Sequence, residues 1–345
     1  MTYQYITRTA SWVENNRIRY FIILILFLTA SCPLFARNLP DYQELMQQLG
    51  MPQKDIASLH QGEIVFFNVS EGNEKELSVG AVVYLHAQPS KITNFIVTQG
   101  LASLDSDVTV EQSIPLQATL ASFKGFNFRD GTDDANNFLI ATPGSQFNLS
   151  TQEYQTIRDK SQGQPDTAAQ AYRKILLQRW QAYRKNGLKG IAAYDRGGGT
   201  EASPGGELRT ATLENKLLAK YFPDLYKAWL NYPVTLPNGA KESFFWRNRQ
   251  VENRPTAILV HRILLSLDAG ELILSRQFYV GHSYNSNQLT IICQPYRDGS
   301  LVFYANRNFT DQVAGFGSSL KNVIGHKQEK GEIVKLLNQL LKSLN

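Results

Sequence analysis

The last hundred residues, Phe244 to Asn345, hold strand-like runs in series closed by one helix-like run, and that order limits the folds open to the chain. The runs are residues 244–250, 256–267 and 272–284, then 289–295 with 300–307 as a closing hairpin. Residues that suit a pleated surface dominate them, and turn formers separate them. Short connections between consecutive strands make an antiparallel meander, and a terminal amphipathic helix can cover its apolar face. The second and third runs are long enough to curl, and a curled sheet gripping a helix tends to enclose a pocket. The helix is read from a stripe of Ile333, Leu336, Leu337, Leu340, Leu341 and Leu344, preceded by Leu320, Val323 and Ile324 behind a capping Ser319. Gly325 and Gly331 lie between the two segments, each costing about 1 kcal/mol in a helix interior, so one kinked helix and two short ones both fit.

Upstream, residues 41–49 place Tyr42, Leu45, Met46 and Leu49 on one helical face, with Gly50 as a stop. Residues 63–69 and 79–86 read as a hairpin, and Pro89 then opens a helix carrying Ile92, Phe95, Ile96 and Gln99. Residues 108–115 are strand-like, 118–128 fit no single pattern, and 129–137 are polar enough for a loop. A helical stripe of Ala168, Tyr172, Ile175, Leu176 and Tyr183 follows, and a second helix is read over 211–230 through Leu213, Leu217, Tyr221, Leu225 and Trp229. The glycine-rich stretch 196–206 between them reads as a flexible connection, and as the tether of a lid if these helices cover a pocket. The expected organisation is α+β: a leader over 1–36, an N-terminal strand-helix part of the core over 37–149, a helical insertion over 150–232, and the antiparallel sheet with its closing helix over 233–345.

A 345-residue chain with 43% hydrophobic residues can bury a substantial core. Its N-terminus carries Arg8, Arg17 and Arg19 before the apolar stretch 20–28, which falls short of the roughly 20 residues that span a bilayer and resembles a secretory signal. Cleavage after Ala36 gives an exported, periplasmic protein; acylation at Cys32 gives a lipoprotein held at a membrane surface; an uncleaved anchor is the third reading. Past the leader only Cys293 remains, so stability comes from packing rather than from a disulfide. A net charge of +5 is too weak a bias to imply nucleic acid.

Candidate chemistry is sparse. His261 shares a strand face with Ala257, Leu259, Ile263 and Leu265, and His282 follows Phe278 and Val280 toward Tyr284. Each imidazole is either a polar group facing a ligand or a core histidine satisfied by its neighbours. Residues 281–285, Gly-His-Ser-Tyr-Asn, approach a nucleophile elbow around Ser283, but the final glycine is replaced by Asn285 and a strand follows where the elbow requires a helix. A strand end entering a turn explains the same residues. In Asn306–Asp311, Arg307 either receives an anionic headgroup with Asp311 orienting it, or pairs locally while Thr310 or Asp311 caps a helical turn. No histidine or cysteine spacing points to a metal, and no cofactor is implied.

The element order resembles the START-related helix-grip superfamily, whose members wrap a curved antiparallel sheet around a long C-terminal helix and commonly hold lipids or other apolar ligands between the two. Residues 278–286 and 306–317, together with 190–195 and the Thr142-Pro143-Gly144 turn, are similar to an exported bacterial family of uncharacterised activity. Where some members of that family carry a cysteine pair flanking the Pro-Gly turn, this chain has Ala141 and Gln146. The family resemblance brings no activity with it and the superfamily likeness concerns the fold; the expected protein is an exported sheet-and-helix core with a helical insertion that binds an apolar or amphipathic molecule, with no reaction implied. Its polar contacts are expected from His282, Tyr284, Tyr304 and Arg307, with His261 a further candidate, in a wall of Phe278, Val280, Leu259, Ile291 and Phe303. An envelope structural protein with a solid core and a serine hydrolase using Ser283 are the alternatives.

Overall fold

Strand pairing gathers the C-terminal meander and two pieces of the N-terminal part into one eight-stranded sheet. The computed structural model describes residues 39–100, 103–129, 133–158, 165–315 and 317–344; the leader reading of residues 1–36, with Cys32 and Ala36, lies outside them. In chain order the elements are α1 (Tyr42–Gln48), α2 (Asp55–His60), β1 (Val65–Phe67), β2 (Glu76–Leu85), α3 (Pro89–Thr98), β3 (Val108–Ser113), α4 (Asp134–Leu139), α5 (Thr151–Arg158) and α6 (Pro165–Asn186). There follow β4 (Tyr194–Gly197), β5 (Thr200–Ala202), α7 (Pro204–Leu213), α8 (Lys216–Tyr221), α9 (Pro223–Leu230), β6 (Ala240–Val251), β7 (Arg254–Leu267), β8 (Gly270–Val280), β9 (Ser286–Tyr296), β10 (Gly299–Phe309) and α10 (Ser318–Leu344). The sheet order is β1-β2-β10-β9-β8-β7-β6-β3, antiparallel throughout, while β4 and β5 form a separate hairpin. The protein is thus α+β, with a large curved antiparallel sheet and a C-terminal helix.

Strands β6 to β10 are the meander read from the sequence. What extends it is non-local: β2 pairs along β10 from Glu76 to Leu85, and β3 closes the far edge on β6. Gly80 in the middle of β2 leaves room for the Phe67 ring of β1, since a Cβ there would stand 2.1 Å from it. All of β2 is buried, the mark of a strand covered on both faces. On the first face Val82, Phe303, Ile292, Leu274 and Ile263 pack with Leu218, Phe222 and Trp229 of α8 and α9 and with Leu45 and Met46 of α1. Helix α6 continues this layer over β6, β7 and β8, and Tyr183 stacks on Phe278 at 4.0 Å. On the second face Ala81, Val83, Val302, Ile291 and Ile273 pack with Ile92 and Ile96 of α3 and with Ile333, Leu337, Leu340 and Leu344 of α10. A bulge in β8 lets both Phe278 and Tyr279 join the first face: the register shifts between Leu259 and Val260, which face Tyr279 and Gln277.

Three local expectations are corrected. The glycine-rich stretch is ordered: Gly198 and Gly199, with φ of +60° and +77°, turn the β4–β5 hairpin, and Ser203 caps α7 by accepting from the Gly206 amide at 3.3 Å. Gly205 lies so close to Leu188 that a Cβ would sit 2.4 Å from its carbonyl oxygen. The helix read over 211–230 is three helices, broken where Asn215 caps α8 and where Pro223 opens α9. The loop read over 129–137 gives way to α4, because Phe138 and Leu139 are drawn into the α6 cluster. The closing segment is one helix: Gly325 is needed where α10 crosses β2, since a Cβ would meet Leu77 Cδ1 at 2.7 Å.

Candidate functional site

On the second face the strands change character at a common level. Along β10 the inward residues run Val302, Tyr304, Asn306, Asn308; along β9, Cys293, Ile291, Leu289, Asn287; along β8, Ile273, Ser275, Gln277; along β6, Phe245, Arg247, Arg249. The apolar ends lie under α3 and α10. The polar ends floor a cleft of about 740 Å³, bounded by α10 and the Asp311–Val313 turn on one side and by Leu104, Asp105 and the end of β6 on the other. Its walls are apolar where Leu77, Leu289, Val313, Ile324 and Leu336 face it.

Hydrogen bonds hold this floor in one geometry. Asn287 donates to Asn306 Oδ1 at 2.8 Å, and Asn306 and Asn308 donate to the two oxygens of Glu329 on α10 at 3.1 and 2.8 Å. Burial pushes the Glu329 carboxyl up. Arg249 straps the cleft, reaching Asp105 at 2.7 Å and Glu332 on α10 at 3.1 Å. Tyr284 donates to Gln277 Oε1 at 2.5 Å, and burial pushes its phenol up to about 12. Arg247 is 7% exposed and lies 3.0 Å from Glu111. Its Nε, like Asn308 Oδ1, is buried without a hydrogen-bond partner among the described residues.

The six candidate residues separate. Tyr284 and Tyr304 line the cleft. Arg307, one residue out of step with Asn306 and Asn308, points through the opposite face, where it pairs with the buried carboxylate of Glu76 and donates to Ser70 O at 2.9 Å. Together with Phe303 it borders a smaller, mainly apolar pocket of about 200 Å³ beside α8. Phe278 and His261 also lie on that face. His261 stacks on Phe244 at 4.4 Å, with Nδ1 2.7 Å from the Tyr183 hydroxyl and Nε2 3.0 Å from Glu242. His282 is buried and does not line the cleft; its Nε2 lies 2.6 Å from Thr256 Oγ1. Asp311 is engaged by Arg196 at 2.9 Å and Lys75 at 2.8 Å, and Thr310 caps the turn by accepting from Gln312 N at 3.2 Å.

Ser283 does line the cleft, with a φ of +72°. Its hydroxyl donates to Glu252 Oε2 at 2.7 Å and lies 2.7 Å from His282 Nδ1. The hydrogen bond from Ser283 holds the Glu252 carboxyl low. Thr256 Oγ1, 2.6 Å from Nε2, also lies 3.2 Å from the Arg254 carbonyl oxygen, so serine, imidazole and threonine form one hydrogen-bonded chain between Glu252 and the Arg254 carbonyl. Asn287, Asn306, Asn308, Arg247 and Glu329 were not singled out by sequence reasoning; the available signal was Asn-x-Asn on alternate positions of a strand.

Among the described residues no group of three or more histidine, cysteine, aspartate or glutamate side chains is placed to hold a metal ion, and no helix is long and apolar enough to cross a membrane. No family model, curated protein or solved structure matches the chain.

Proposed function

We propose that the protein binds an amphipathic small molecule in the cleft between its C-terminal helix and the curved sheet, in the manner of a helix-grip carrier, without transforming it. The observation that carries this reading is the cleft itself: about 740 Å³ of space whose floor offers Arg247, Tyr284, Tyr304 and a fixed row of amides, and whose walls mix Leu77, Val313, Ile324 and Leu336 with Lys321, Gln328, Glu332 and Lys335. A volume of this order accommodates a ligand of a few tens of heavy atoms. The head of the ligand meets the polar floor, and its apolar part lies against Ile324, Ile333 and Leu336 of α10. The leader-like N-terminus adds an exported, periplasmic setting to this proposal. Native mass spectrometry of the protein purified from its host tests it. The expected spectrum shows one non-covalent adduct, released by organic solvent and weakened in Asn308→Leu; only the bare polypeptide mass would favour a structural protein with no ligand.

A further inference from the structure

The outer side of α10 is more apolar and more basic than folding requires. Leu320, Val323 and Ile324 are 67%, 66% and 50% exposed, and their spacing of three and four residues sets them on one face. Beyond them the helix exposes Lys327, Lys330 and Lys342, with Lys321 beside the apolar group, while Lys335 turns to the cleft, 3.8 Å from Asp107. Its two glutamates are engaged elsewhere, Glu329 by Asn306 and Asn308 and Glu332 by Arg249. One helix surface therefore joins an apolar tip to a run of lysines.

We propose that this surface docks the protein onto an anionic lipid bilayer. Aliphatic side chains enter the boundary between headgroups and acyl chains while lysine ammonium groups sit among the anionic headgroups, the pattern of helices that lie in a membrane surface. A protein partner fits less well, because interface centres favour aromatic residues and arginine and are depleted in lysine. Ile324 and Lys321 also line the cleft, so the docked face borders its opening. If the cleft holds an amphipath, as proposed above, the ligand can pass between bilayer and protein without crossing bulk water. Docking itself is measured whether or not the cleft is loaded.

The test is co-sedimentation of the same purified protein and its variants with vesicles of phosphatidylglycerol in phosphatidylcholine, and with phosphatidylcholine alone. Wild type is expected to bind the anionic vesicles at least tenfold more tightly than the neutral ones and to lose that margin at high salt. Leu320→Glu/Val323→Glu and Lys327→Glu/Lys342→Glu are each expected to weaken binding at least tenfold with unchanged circular dichroism and melting temperature. Should the apolar double variant fold poorly, the lysine double variant decides the matter. Absence of wild-type binding, or double variants that bind as wild type does, would overturn the proposal.

Discussion

Acidification is predicted to destabilise the protein through two histidines that the fold keeps neutral. His282 is 2% exposed, and burial, reinforced by the Arg254 guanidinium, pushes its imidazole down to about 4. His261 is 0% exposed and burial pushes it down to about 4 as well, against the pull of Glu242. A histidine in the unfolded chain titrates near about 6.5. Between about pH 6.5 and about pH 4 the unfolded chain binds protons that the folded chain refuses, so this stability is complete above the window and is lost as pH falls through it. For one such site the loss relative to neutral pH is about 2 kcal/mol at about pH 5 and about 3 kcal/mol at about pH 4. Urea unfolding followed by tryptophan fluorescence, on wild type and His282→Gln at fixed ionic strength, isolates the effect. Buried carboxyls such as Glu207 and Glu329, which burial pushes up, act with the opposite sign but are common to both proteins. Glutamine does not titrate, so the stability gap between the two proteins should narrow by about 2 kcal/mol on going from neutral to about pH 5. A gap that stays constant within about 0.5 kcal/mol would mean that folded His282 takes up a proton freely, and would refute the reasoning.

Glu76→Ala leaves the buried Arg307 guanidinium without its carboxylate and should cost about 3–5 kcal/mol in chemical denaturation. Gly187→Ala places a Cβ 1.6 Å from the Tyr232 carbonyl oxygen at a φ of +58°, so a loss of at least about 3 kcal/mol in the same assay is expected. Arg276 is fully buried against the Trp229 ring and donates from Nη2 to Trp229 O at 2.8 Å, while Nε and Nη1 have no hydrogen-bond partner among the described residues; Arg276→Met trades that one hydrogen bond for relief of a buried charge and should change stability by no more than about 1 kcal/mol, visible as a nearly unchanged Tm. The thiol of Cys293 is buried between sheet and helices and raised by that burial, so a thiol reagent should label it only in denaturant.

The meander and the closing helix were legible because their information is local: period-two and helical patterns, with turn residues between. The pairing of β2 with β10 was not, since nothing in residues 76–85 names a partner more than two hundred positions away. Its continuous burial also erased the alternation that marks a half-exposed strand. Gly198 and Gly199 misled because the composition of a linker is also that of a tight hairpin turn. For the cleft, Tyr284 and Tyr304 were found, but Arg307 drew attention from Asn306 and Asn308 on either side, and strand parity decides which of them face the cleft. That parity becomes readable only once one residue of the strand is placed against α10. Glu329 escaped notice because a lone glutamate in a lysine-rich helix reads as solvated until Asn306 and Asn308 are seen to bond it.

The most direct measurement is hydrogen–deuterium exchange of the protein with and without an amphipath extract from host membranes. Occupation of the cleft should slow exchange in residues 284–289, 304–310 and 321–336, which surround it, and leave residues 214–222 beside the smaller pocket unchanged. Protection confined to 214–222, or none anywhere, would contradict a ligand held between the C-terminal helix and the sheet.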